Sequence, residues 1–126
     1  MAKKIKKMVC LLVAVCMTVS VLCMTASAES GSYNGRTYSI SLMLNRTSMT
    51  SQLAYPTTIQ LGFLGYAEAS FNGDYEKRSC ANNGMSTRVS KTVYPTKADL
   101  QFYHGYQEYY CNSHFMQTVQ RNLTRL

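Results

Sequence analysis

The sequence lacks the short motifs that mark several common enzyme classes. It contains no glycine-rich phosphate loop, no Gly-x-Ser-x-Gly nucleophile turn and no His-Glu-x-x-His zinc motif. Acidic residues are also scarce, with six in the whole chain, and the closest pair is Asp74 and Glu76. Paired carboxylates act on glycosides across a cleft, which a small β domain rarely provides. We therefore expect no enzymatic activity and no cofactor.

Residues 1–28 are typical of a secretory signal peptide. Four lysines within the first seven residues precede a run of 17 mostly apolar residues, 8–24. That run is slightly short for a membrane span of about 20 residues. Ala26-Ser27-Ala28 then supplies the small side chains of a cleavage site. We expect secretion of residues 29–126 as one domain, with membrane contact only through the leader. An uncleaved anchor and a lipoprotein are the alternatives.

Strong positive charge is missing once the leader is set aside. The chain has 13 basic and 6 acidic residues, a formal net charge of +7, but four of the lysines lie in the leader. The nine basic residues that remain exceed the acidic ones by three, and they are scattered along the sequence. Nucleic-acid-binding domains concentrate Lys and Arg on one face. We expect a solvated surface and no nucleic-acid partner.

Helical periodicity is also scarce, whereas alternation of apolar and polar residues is frequent and indicates β-strands. Asn72-Gly73 and Asn82-Asn83-Gly84 predict two hairpin turns, Gly65 predicts a bulge, and Pro56 should interrupt pairing. Residues 29–35 are small and polar and predict a mobile terminus. The predicted strands are 36–44, 59–71, 74–81, 85–94, 100–106 and 115–126, with a loop at 45–52.

These strands predict an all-β fold, a small antiparallel β-sandwich of about six strands, with a barrel as the alternative. In the fifth strand Leu100, Phe102, His104 and Tyr106 should share one face. The last segment, 115–126, is also compatible with a helix, because Val119, Leu123 and Leu126 have helical spacing. We expect a strand there, since Phe115 and the residues after it also suit an extended chain.

Only Cys80 and Cys111 remain after removal of the leader. In an oxidising compartment two cysteines tend to pair, and a bridge closing a loop of about 30 residues would stabilise the fold by about 3–4 kcal/mol. We expect a Cys80–Cys111 disulfide, with two unpaired thiols as the alternative. The two cysteines, together with His104 and His114, make four potential zinc ligands. Their spacing in the sequence matches no usual zinc-binding pattern, and we expect no metal.

The most distinctive segment is 102–110, which has five aromatic residues in nine positions. Tyrosine provides contact area at low conformational cost, so Tyr103, Tyr106, Tyr109 and Tyr110 form a candidate binding face. Such a face suits contact with a peptide, a glycan or a membrane surface, and the targets we expect are a cell-wall glycan or a surface protein. The alternative is that these side chains belong to the core and its rim.

The lysine-rich leader, the Ser-, Thr- and Tyr-rich strands and the late Ser113-His114 resemble small secreted proteins of Gram-positive bacteria. The lactococcin 972-like bacteriocins, which form β-sandwiches, are of this general type. The resemblance implies an exported β-sandwich. It does not extend to the bacteriocins' activity, because those proteins contain tryptophan and this sequence has none. We expect a secreted, envelope-associated or binding protein without enzymatic activity. A bacteriocin-like antagonistic protein is the alternative, and a small hydrolase is a weaker third class.

Overall fold

The structure, a computed structural model, describes residues 24–125, with side chains from Glu29 onward. Residues 1–23, most of the predicted signal peptide, lie outside this range. The all-β prediction of six antiparallel strands is confirmed, and nothing within 24–125 forms a helix capable of crossing a membrane. The strands are β1 (Met24–Tyr33), β2 (Arg36–Asn45), β3 (Met49–Phe71), β4 (Asp74–Val93), β5 (Gln101–Cys111) and β6 (His114–Asn122).

A long hairpin of β3 and β4 organises the sheet. The two strands have 23 and 20 residues and pair along nearly their whole length. On its other side β3 pairs first with β2, through Met49 to Ala54, and then with β5, through Leu61 to Ser70. β1 pairs with β2 and β6 pairs with β5, so one continuous antiparallel sheet runs β1-β2-β3-β5-β6 with β4 beside β3.

This sheet folds over on itself into two layers and nearly closes as a barrel. The β3–β4 pairing shifts register between Ala54 and Ile59, a segment that contains Pro56, as the sequence predicted. The shift lies between the parts of β3 that pair with β2 and with β5. Strands that are not neighbours in the sheet also come together: β2 contacts β5 and β6, and β1 contacts β6. The two layers therefore belong to one sheet and not to two separate sheets.

Contacts at both edges hold the layers together. On one side, the carboxylate of Glu29 in β1 lies 3.2 Å from the guanidinium of Arg121 in β6. On the other, the backbone N–H of Thr96 donates to a carboxylate oxygen of Glu76 at 2.8 Å, and Arg78 Nε donates to the carbonyl of Tyr94 at 3.1 Å. The segment after β4 therefore returns along the start of the same strand.

The core lies between the layers and follows the predicted alternation of β2. Tyr38, Ile40, Leu42 and Leu44 are all buried, whereas the residues between them are at least partly exposed. A fully buried aliphatic side chain contributes about 1.5–3 kcal/mol through removal from water. The other layer contributes buried residues to the same core, among them Leu61, Phe63, Phe102, Tyr109 and Val119.

Three hairpin turns have two consecutive residues with positive φ. They are Asn34-Gly35, Asn72-Gly73 and Asn112-Ser113. This is the backbone that two-residue hairpins of type I′ require, and asparagine and glycine adopt it most readily. The turn at Asn72-Gly73 was predicted. The first turn and the pairing of β1 replace the mobile terminus that was predicted for residues 29–35, because the partner strand β2 orders them.

Three other local predictions are wrong. The loop predicted at 45–52 is shorter, because residues from Met49 onward already belong to β3. Asn82-Asn83-Gly84 does not turn: it lies inside β4, where Gly84 pairs with Leu61 and Asn83 with Gly62. Pairing with the long β3 overrides the local turn preference. No bulge occurs at Gly65, which pairs regularly with Cys80 and Gln107. The sixth segment forms a strand, as predicted, and not a helix.

Candidate functional site

The strongest candidate site is the outer surface of the layer formed by β3, β4, β5 and β6. A register shift in the pairing of β3 with β5 decides which residues of β5 lie on this surface. Glu68 pairs with His104 but Ala69 pairs with Phe102, which leaves Tyr103 as an extra residue in β5. Beyond Tyr103 the alternation changes phase. We define the outer tyrosine face by its exposed or half-buried aromatic residues, Tyr66, Tyr75, Tyr103, Tyr106, Tyr110 and Phe115.

The phase change divides the predicted binding face. Tyr106 and Tyr110 lie on the outer face and Tyr103 is half-buried beside them, but Tyr109 is fully buried in the core. Its place among the predicted binding residues is therefore incorrect. The same change puts Phe102 inside and His104 and Tyr106 outside, so the shared face predicted for the fifth strand is wrong as well.

Three aromatic residues of the face come from outside the predicted segment. Tyr66 lies on β3, where buried residues such as Phe63 and Ala67 alternate with residues on the outer side. Tyr75 follows the Asn72-Gly73 turn, and Phe115 follows the Asn112-Ser113 turn. The alternation in β3 was visible in the sequence. The pairing that brings β3 between β4 and β5 was not.

Glu68 is the centre of the larger of two hydrogen-bond clusters on this face. Its carboxylate lies 2.8 Å from His104 Nδ1 and accepts from the hydroxyls of Tyr75 at 2.6 Å and Tyr103 at 3.2 Å. Partial burial raises the pKa of Glu68, but the hydrogen bonds from Tyr75, His104 and Tyr103 outweigh it, and the net pKa lies below its ordinary value. The hydrogen bond to Glu68 also raises the pKa of Tyr75 to about 12.

Glu108 holds the second cluster. Its two carboxylate oxygens accept hydrogen bonds from Tyr106 at 2.7 Å and from Tyr110 at 2.9 Å. These bonds lower the pKa of Glu108 and raise the pKa values of both tyrosines. The carboxylate is thus ionised and the phenols are neutral near pH 7. Each ring is held by a charge-assisted hydrogen bond at its tip.

Ring contacts connect the two clusters. Tyr66 stacks on Tyr106 with ring centroids 5.4 Å apart, and its ring lies 5.8 Å from that of His104. The ammonium of Lys77 lies 3.9 Å from the Tyr66 ring centre, a cation–π contact. Further along, Tyr110 and Phe115 meet edge to face at 5.8 Å. The face is therefore an ordered aromatic surface, in which the hydroxyls of Tyr75, Tyr103, Tyr106 and Tyr110 donate hydrogen bonds to Glu68 or Glu108.

A groove of about 690 Å³ adjoins this face. Its floor is Gly62 of β3, which pairs with Asn83 of β4 on one side and Tyr110 of β5 on the other. Since glycine has no side chain, a trough remains between these two neighbours. The groove is lined by Gln60, Leu61, Gly62, Phe63, Leu64, Ala81, Asn82, Asn83, Tyr110 and Ser113. Its volume is within the usual range of ligand sites, about 300–1,000 Å³.

Both described cysteines are free and buried. Cys80 pairs with Gly65, which pairs with Gln107, and Cys111 lies four residues further along β5. The cysteines are thus about 13 Å apart along the strands and about 10 Å apart across them. A disulfide needs Cα atoms about 4.4–6.8 Å apart. This geometry argues against the predicted Cys80–Cys111 bridge.

The histidines and cysteines do not gather at one place. His104 lies on the outer face beside Glu68, and the ring of His114 lies 5.9 Å from that of Tyr33. The cysteines are buried. Within residues 24–125 no group of three or more His, Cys, Asp or Glu side chains is arranged to hold a metal ion.

Comparison with known proteins provides no relative from which a function could be inferred. No family model matches the chain, and neither a curated protein nor a solved structure is significantly similar to it.

Proposed function

We propose that this chain is an exported, non-enzymatic binding protein whose outer tyrosine face contacts a target at the bacterial cell envelope. The observation that carries the proposal is the arrangement of tyrosines around Glu68 and Glu108. Exposed apolar patches can mark interaction surfaces, and Tyr75 and Phe115 of this face are 51% and 54% exposed. Here the rings are also fixed in place before binding, which lowers the conformational entropy lost on association.

The chemistry of the face favours binding over catalysis. Glu68 and Glu108 have lowered pKa values because they accept hydrogen bonds from tyrosines. A general acid or base works best with a pKa near the working pH, and these carboxylates are shifted away from it. Their role on this surface is to hold the tyrosine rings.

The export part of the proposal rests on the leader. The predicted cleavage point, after Ala28, lies within β1. Cleavage there would leave Glu29 to Tyr33 paired with Ile40 to Arg36, so the first hairpin and the Glu29–Arg121 ion pair would be retained. The expected mature chain is thus compatible with the fold.

A binding assay on cell walls tests the proposal. The chain is expressed with its leader, purified from the culture medium and mixed with isolated Gram-positive sacculi and with intact cells, and bound protein is quantified after sedimentation. We expect the wild-type protein to sediment and the Tyr66→Ala/Tyr106→Ala variant to lose most of this binding. Tyr94→Ala is the matched control, since Tyr94 is 60% exposed but lies outside the face.

Equal sedimentation of the face variant and the wild type, with both folded by circular dichroism, would overturn the proposal. So would the absence of binding to sacculi and cells alike. Inhibition of indicator strains by the purified protein would instead support the antagonistic alternative.

A further inference from the structure

We infer that the groove over Gly62 binds a neutral saccharide chain, which places the ligand class of the proposed binding protein at a specific site. The inference rests on the proposed function and goes beyond it, since it concerns what the groove accepts. The argument depends on the charge of the groove, the pairing of its floor and the fixed position of its walls.

The groove carries no formal charge. None of its ten lining residues is acidic, basic or histidine. Glu108 is not among the lining residues, and its carboxylate already accepts a hydrogen bond from the hydroxyl of Tyr110 at 2.9 Å. An ionic ligand would require an opposite charge at this point, and the lining provides none. A neutral ligand fits this surface best.

The floor of the groove cannot bind a peptide by strand addition. Peptides that add to a sheet bind through unpaired backbone groups at a strand edge. Gly62 is paired on both sides, with Asn83 and with Tyr110. Recognition in this groove must therefore come from side chains.

The side chains present are those that suit a sugar ring. A pyranose has an apolar C–H face and a rim of hydroxyls, so it needs an aromatic or aliphatic surface together with neutral donors and acceptors. Tyr110 and Leu64 provide the apolar surface. Gln60 and Asn83 provide primary amides, each with both donors and an acceptor, and these amides have no hydrogen-bond partner among residues 24–125.

The walls are fixed before any ligand arrives. The hydroxyl of Tyr110 is held by Glu108, and its ring packs edge to face with that of Phe115. The β5–β6 turn is tied to β3, because Asn112 N donates to the carbonyl of Gln60 at 2.7 Å and Gln60 N donates to Asn112 Oδ1 at 3.2 Å. Ser113 therefore has a set position at the end of the groove. Such preorganisation lowers the cost of binding.

Titration with defined sugars tests the inference. Hexamers of N-acetylglucosamine and of glucose are titrated into the purified protein by calorimetry and by two-dimensional NMR. We expect saturable binding of at least one hexamer, with shift changes at Gly62, Asn83 and Tyr110. Asn83→Ala should weaken binding by about tenfold, because the lost amide bonds are not replaced, and Tyr110→Ala by at least as much.

A second variant, Gly62→Ala, fills the trough with a methyl group. A Cβ at Gly62 would lie 3.3 Å from Asn83 Cβ, a tight but adjustable contact, so Gly62→Ala should fold and bind the hexamer more than about tenfold less tightly. Tyr110→Phe removes the hydroxyl that faces Glu108 but keeps the ring, and should retain more binding than Tyr110→Ala. Tyr94→Ala should bind like the wild type.

Failure of this inference is distinguishable from failure of the proposed function. If sedimentation with sacculi depends on Tyr66 and Tyr106 but neither hexamer binds, the saccharide inference is overturned and the binding function stands. Binding to cells that disappears when surface proteins are digested with protease would point to a protein target and would also overturn it. Hexamer binding unaffected by Gly62→Ala and Asn83→Ala would place the sugar elsewhere and would contradict the groove.

Discussion

The hydroxyl of Tyr109 and the Oγ atom of Ser51 lie 2.7 Å apart and join the two layers of the sheet through the core. Both side chains are fully buried. Ser51 belongs to the first part of β3, which pairs with β2, and Tyr109 belongs to β5. Burial raises the pKa of Tyr109 to about 12, so the phenol is neutral at physiological pH.

Removing one partner of this pair should destabilise the protein. In Tyr109→Phe the Ser51 hydroxyl loses its partner while buried, and we expect a loss of about 1–3 kcal/mol in the free energy of unfolding. Ser51→Ala should have a similar effect. The double variant should lose less than the sum, because neither polar group is then left unpaired. Urea unfolding measures all three, with the exposed Tyr94→Phe as control; additive losses would contradict the pairing.

A side chain at Gly65 should be poorly tolerated. A Cβ built there would lie 1.9 Å from the carbonyl oxygen of Tyr106, which is backbone and cannot rotate away. We expect Gly65→Ala to cost about 3 kcal/mol or more, the upper range for overpacking. Gly84→Ala is the control: its Cβ would meet nothing nearer than Val89 Cγ1 at 3.9 Å. That variant should change stability by less than about 1 kcal/mol. Equal thermal midpoints for the two variants would show that the close approach is absent.

Stability should fall in acid partly because of Glu68. Its pKa in the folded protein is lower than its ordinary value of 4.5, so its contribution is complete above pH 4.5 and is lost as the pH falls through the lower folded value. Glu68→Gln should therefore flatten the dependence of unfolding free energy on pH below 4.5. Urea titrations between pH 3 and pH 7 measure this slope, and an unchanged slope in the variant would refute the assignment.

The two described thiols should react only when the protein unfolds. Burial raises the pKa values of Cys80 and Cys111 and keeps reagents away from them. Because the thiolate is the reactive form, alkylation by iodoacetamide at neutral pH should be slow in native buffer and complete in urea. Peptide mapping locates the modified residues. Recovery of a peptide pair linked through Cys80 and Cys111 from the secreted protein would contradict this structure.

Local patterns in the sequence predicted the strands better than their connections. The alternation of Tyr38, Ile40, Leu42 and Leu44 identified β2 and its buried side. In this strand the apolar side chains are buried and the residues between them are at least partly exposed. Asn72-Gly73 was a true turn, whereas Asn82-Asn83-Gly84, with the same local preference, lies in the middle of β4. The difference comes from β3. Its residues Leu61 to Phe63 pair with Gly84 to Asn82, whereas no residue of β3 pairs with Asn72 or Gly73.

The candidate site depended on a feature that the sequence does not show. Tyr103 is the extra residue of a register shift, and this one residue reverses the sides on which Tyr106 and Tyr109 lie. Strict alternation through the segment therefore gave the wrong sides. Gly62 falls within the predicted strand 59–71, but its role as the groove floor depends on Asn83 and Tyr110, which lie more than 20 positions away in the sequence.

The bend in the β3–β4 hairpin has a consequence for cooperativity. Because both strands continue from one layer into the other, neither layer can detach without breaking the pairing of β3. The protein should therefore behave as one folding unit. In native-state hydrogen exchange, the slowest amides on both sides of Pro56 should share the same opening free energy, equal to that of global unfolding.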